Sequence, residues 1–162
     1  MLETQRGYLV KSLNEGSYKN FVFDETLQLV ATRGHLFEKQ MNSGALKPDI
    51  VRLFNWLRIK GVKNIIKVIV CEDEDPFHSD EAIITALGRF IVEILDWTKP
   101  DLCPQTILQA CNHVRELHLS WSGLNGMLLV WSGEDGLAKL PHLTDLHLHQ
   151  TTVSSCHLLY LA

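Results

Sequence analysis

The stretch His113-Val114-Arg115-Glu116-Leu117-His118-Leu119 returns 29 residues later as His142-Leu143-Thr144-Asp145-Leu146-His147-Leu148, matching in polar as well as apolar positions. Each copy has a leading apolar residue, Val114 or Leu143, followed by Leu-x-Leu. Successive side chains of an extended chain point to opposite faces. Leu117 and Leu119, like Leu146 and Leu148, therefore share a buried side, and His118 and His147 share the other. A strand of this kind every 20 to 29 residues or about that, joined by helical segments, is the spacing of leucine-rich repeats.

Two further strands precede the repeat. Asn64 to Val70 is a β-branched run of strand length, and Val92 to Trp97 is a second. Taking Val68, Ile94, Leu117 and Leu146 as strand centres, the spacings are 26, 23 and 29 residues. On this alignment Asp96 falls where Val70 and Leu119 are buried, a poor fit to Leu-x-Leu. The intervals have room for short helices. Pro48 and Asp49 open one, with Ile50, Leu53, Phe54 and Leu57 on its apolar face and Gly61 as a left-handed stop. Ser79 caps a second, carrying Ile83, Ile84 and Leu87 and ending at Gly88. Pro104 to Ala110 forms a third, and residues 123–140 hold a glycine-broken helix or loop.

Repeated crossovers of one hand place every helix on the same side of a sequentially ordered sheet. The expected fold is α/β: a leucine-rich-repeat-like right-handed βα solenoid with a parallel sheet and helices on one side, preceded by a small N-terminal extension. Residues 1–47 are expected as that extension, partly irregular, with a short strand at Phe21-Val22-Phe23 and a linker at 38–47. Residues 48–150 form the repeat domain. Residues 151–162 are expected as a tail or cap, in which Leu158, Leu159 and Leu161 either shield the last repeat or form an exposed apolar tail that drives association.

Composition narrows the functional classes. At 46% hydrophobic and 21% charged residues over 162 positions, the chain is globular rather than disordered. A net charge of −4 gives no general attraction for nucleic acid or anionic lipid. Four cysteines without a Cys-x-x-Cys pair read as reduced thiols. The start Met1-Leu2-Glu3-Thr4-Gln5-Arg6 lacks the basic and apolar runs of a secretory leader, and no stretch has the length and apolarity to span a bilayer. A cytoplasmic protein is expected, binding neither nucleic acid nor membrane.

Three segments carry a family resemblance: Phe54 to Val68 (FNWLRIKGVKNIIKV), Pro76 to Ile83 (PFHSDEAI) and Trp121 to Gly126 (WSGLNG). In these words and in their order the chain resembles the regulatory, leucine-rich-repeat-like region that precedes the subtilisin-like protease domain in large intracellular proteins of filamentous fungi. The resemblance runs from about Pro48 to Gln150. It implies a sensor, scaffold or regulatory module. The catalytic Asp, His and Ser motifs of a subtilase have no counterpart here, so proteolysis does not carry over.

The candidate binding residues are the open side of the repeat strands and its rim: Glu116, His118, Asp145, His147 and His149, with Trp121 and Trp131 as aromatic anchors. A non-catalytic module that binds a protein partner, without cofactor, is the leading expectation. His118, His147 and His149 beside a carboxylate are also ligand types for zinc. The acidic loop Glu72 to Asp75 follows a strand at the end where α/β proteins place functional groups, and its carboxylates suit Mg²⁺ or Ca²⁺. A metal-dependent hydrolase is therefore the first alternative, and a truncated paralogue without independent activity the second. The plainer readings are a solvated polar face, a solvated acidic turn and tryptophans that simply pack.

Overall fold

The structure, a computed structural model, describes residues 22–33, 49–72 and 76–150. These form a five-stranded parallel sheet in sequential order with four α-helices among the described residues. The strands are β1 (Thr26–Arg33), β2 (Asn64–Cys71), β3 (Ile91–Pro100), β4 (Glu116–Trp121) and β5 (Asp145–Gln150). The helices are α1 (Asp49–Ile59), α2 (Asp80–Leu87), α3 (Pro104–Ala110) and α4 (Asn125–Ser132), and a 3-10 turn covers Leu137–Lys139.

The register explains the core. One row across the sheet reads Val30, Val68, Leu95, Leu117, Leu146, and the next reads Thr32, Val70, Trp97, Leu119, Leu148. All members on β1 to β4 are buried, and they join Ile50, Phe54 and Leu57 of α1, Ile83 and Leu87 of α2 and Ile107 of α3 in one apolar cluster, apart from the polar Thr32 beside them. Because the strand residues of this cluster occupy alternate positions, the helices that complete it cover one face. Alternation on that face is what the Leu-x-Leu reading required, and β4 and β5 do run side by side with Leu117 opposite Leu146.

The frame of β3 differs from the expected one by a residue. Leu95, not Ile94, aligns with Leu117, and Trp97 takes the buried place beside Val70 and Leu119. Asp96 lies instead in the row of Ile69 and His118 on the opposite face. The strand thus carries Leu-Asp-Trp where its neighbours carry Val-Ile-Val and Leu-His-Leu, and the misfit disappears. An indole fills the room of a leucine and more, and its Nε1 is buried without a hydrogen-bond partner, a cost of about 1–3 kcal/mol that the packing must exceed.

Local signals set the element ends. After α1, Gly61 adopts φ +92°, and the amides of Gly61 and Val62 donate to the carbonyls of Arg58 and Leu57 at 3.0 and 3.1 Å. This is the Schellman stop, and only glycine takes that backbone without strain. Ser79 Oγ accepts the Ala82 amide at 3.2 Å and so caps α2. Gly88, by contrast, has a right-handed φ of −62°. It is required by space, since a Cβ there would lie 2.7 Å from the Ile84 carbonyl oxygen.

β1 lies within the segment expected as an extension, and it adds to the sheet through β2. Val22 and Phe23 precede it outside regular structure, with the Phe23 ring edge-on to Trp56 at 5.3 Å. Phe21, the 38–47 linker, Asp73 to Asp75 of the acidic loop and the 151–162 tail or cap lie outside the described residues. Among the described residues no helix is long and apolar enough to cross a membrane.

Candidate functional site

The face of the sheet opposite the helices takes its character from the residues between the leucines. Its rows read Leu29, Lys67, Ile94, Glu116, Asp145 and Ala31, Ile69, Asp96, His118, His147. Toward β4 and β5 the rows turn from aliphatic to ionisable, so the chemistry gathers at one end of the sheet.

There the imidazoles stack. His118 and His147 are direct register partners with ring centroids 4.4 Å apart and planes 16° from parallel. His149 lies parallel to His118 at 5.7 Å, and His118 Nδ1 approaches His149 Nε2 at 3.4 Å. One turn of the pattern earlier, His113 and His142 also stack, at 5.5 Å. The 29-residue repeat therefore produces paired histidines twice, because equivalent positions on adjacent parallel strands, and in the turns that lead into them, are brought side by side.

Glu116 joins this row from two residues before His118, on the same face. Its Oε1 lies 2.7 Å from His118 Nε2 and 3.9 Å from His147 Nε2. One donor atom from each of Glu116, His118 and His147 falls within a sphere in which no two are more than 4.8 Å apart. Their side chains are 33%, 16% and 49% exposed, so a solute can reach them without any opening of the fold. Asp145 stands apart from this triad: its Oδ2 accepts the neighbouring Thr144 hydroxyl at 2.7 Å.

The two tryptophans part company. Trp121 ends β4 half-buried, its indole N–H donating to the Leu124 carbonyl at 2.9 Å. Trp131 is 4% exposed and donates to the Leu102 carbonyl at 2.9 Å. It is a core residue and not a rim anchor, because α4 turns its indole into the apolar cluster. The turn after Trp121 is held by Asp101, whose carboxylate accepts the Ser122 amide at 3.0 Å and also its hydroxyl.

A second polar cluster escaped the sequence reading. At the carboxyl ends of β2 and β3 the Glu72 and His78 side chains pair, each 2% exposed. Glu72 also accepts the His78 amide at 3.1 Å, and His78 lies edge-on to Trp97. The register of β3 on β4 shifts between Trp97 and Pro100. In that irregular segment Thr98 accepts the Glu72 amide at 2.6 Å, and Lys99 reaches the His78 carbonyl at 2.9 Å and Asp80 at 2.5 Å. Thr106 of α3 donates to the other Asp80 oxygen at 2.7 Å. Burial pushes the Asp80 carboxyl up, but the Lys99 and Thr106 hydrogen bonds and the Lys99 charge outweigh it and hold it below the ordinary carboxylate range. Glu72 belonged to the expected acidic loop, yet here its side chain is enclosed and paired with His78, which makes it part of the frame rather than an open cation site.

No family model, curated protein or solved structure matches this chain.

Proposed function

We propose that the protein is a non-catalytic interaction module of leucine-rich-repeat-like solenoid type, which binds a protein partner in the cytoplasm through the open sheet face. The observation that carries this reading is the in-register row of Glu116, His118 and His147, stacked and reachable from solvent on the face that the helices leave uncovered. Sequentially ordered repeats bind partners through such faces with distributed side chains rather than one pocket. With Asp96, Glu116 and Asp145 against Lys67 in these rows, the complementary surface is basic and rich in hydrogen-bond donors. The resemblance to regulatory regions of fungal intracellular subtilase-like proteins supports the same role, with His149 beside His118 on the face.

The test compares proteins retained from fungal cell extract by the immobilised chain and by its His118→Ala/His147→Ala variant. The variant should keep its circular dichroism spectrum and lose the retained set. An identical set on both would remove this face as the binding surface.

A further inference from the structure

We propose that Glu116, His118 and His147 bind one zinc-class divalent cation, and that this ion fastens β5 to β4. The proposal is independent of partner binding, since it concerns the isolated chain.

The donor set is two imidazoles and one carboxylate, a combination suited to zinc and its first-row neighbours rather than to the all-oxygen shells of magnesium and calcium. A tetrahedral ion with bonds of about 2.0–2.2 Å sets its ligand atoms roughly 3.4 Å apart. Here the three donor atoms lie within 4.8 Å of one another, with the closest contact at 2.7 Å. Small rotations of partly exposed side chains convert one arrangement into the other. The backbone supplies the rest: Glu116 and His118 share a face by strand alternation, and parallel register fixes His147 opposite His118.

His149 completes the logic as a positioning residue. Nε2 of the His118 ring faces Glu116 Oε1 at 2.7 Å, and Nδ1 faces His149 Nε2 at 3.4 Å. When Nε2 takes the cation, the proton resides on Nδ1 and is donated to His149. Zinc-bound histidines are oriented by a second-shell acceptor of this kind.

The site also sits where a fastening has an effect. Among the described residues β5 pairs only with β4, and all six of its residues are exposed. An ion held by two ligands from β4 and one from β5 closes the sheet's last ladder from the side.

The experiment titrates zinc chloride into the purified full chain by calorimetry and follows amide hydrogen exchange of β5 with and without zinc. One equivalent should bind, with no comparable heat from magnesium or calcium, and exchange across residues 145–150 should slow. His147→Ala changes a half-exposed side chain, so folding should persist while affinity falls by more than about tenfold. His149→Ala should weaken binding by roughly tenfold. Glu116→Gln provides a second ligand variant. Absence of zinc binding, binding unchanged in both His147→Ala and Glu116→Gln, or β5 exchange indifferent to bound zinc would each overturn the proposal.

Discussion

Leu117 and Leu146 occupy one position in two copies of the same sequence pattern, yet Leu117 is wholly buried and Leu146 is 43% exposed. Truncating each to alanine turns that difference into a measurement. Around Leu117 the neighbours in its row are Leu95 on one side and Leu146 on the other, so the methyl groups removed leave a closed void. Such a change costs about 2–5 kcal/mol, and a fully enclosed leucine belongs near 3 kcal/mol or above. At Leu146 just over half the side chain is covered, and water reaches the rest. No sealed cavity forms, and the loss is only a partial transfer contribution, roughly 1 kcal/mol. The gap of about 2 kcal/mol is roughly thirtyfold in the folding equilibrium. Urea titrations of the wild type and both variants read it directly, provided the slopes agree. Equal losses would refute the reasoning, because they would mean that Leu146 is as enclosed as Leu117.

The buried Glu72–His78 pair should be sensitive to loss of its acceptor. Glu72→Leu removes the carboxylate that pairs with the His78 ring and accepts its amide, and should cost about 1–3 kcal/mol in urea unfolding, while the Glu72→Leu/His78→Leu variant should recover part of that loss; a double variant less stable than Glu72→Leu would contradict it. Asp80 gives a pH signature. Its carboxyl titrates lower in the folded chain than in the unfolded one, so its contribution is present at neutral pH and is lost as pH falls through the acid range below about 4. Asp80→Asn should therefore be less stable than wild type at pH near 7 and converge with it in strong acid, and a gap that stays constant over an acid series of urea midpoints would show the carboxylate to be irrelevant.

Much of the architecture was legible because it is written in local patterns. The spacing of Ile50, Leu53, Phe54 and Leu57, the Ser79 cap and the Gly61 stop each act within a few residues, and each appears as read. The repeat at His113 and His142 carried the register of β4 on β5, since strands that share the Leu-His-Leu pattern and are related by a crossover align like with like. The frame of β3 was obscured by chemistry: Ile94 and Leu95 are equally apolar, and only the packing of Trp97 against Val70 and Leu119 decides which faces inward. β1 was blurred because Thr26 to Arg33 earns its strand from pairing with β2, a partner 38 residues away for Asn64 and Thr26. The open histidine row was visible from alternation alone, but the place of Glu116 between His118 and His147 needed side-chain positions. The Glu72–His78–Asp80–Lys99 cluster has no periodic signature at all, because its members come from the end of β2, the start of α2 and the end of β3.

The strictly sequential strand order has a thermodynamic consequence. β1 and β5 share no neighbour, and β3 stands between the pairs they form. A perturbation at Val30 and one at Leu146 are then separated by three intact rungs, and their free energies should simply add, with negligible interaction energy. A chain wired this way can vary at one end without disturbing the other, so the histidine end is free to change its chemistry while the β1 end keeps the scaffold unaltered.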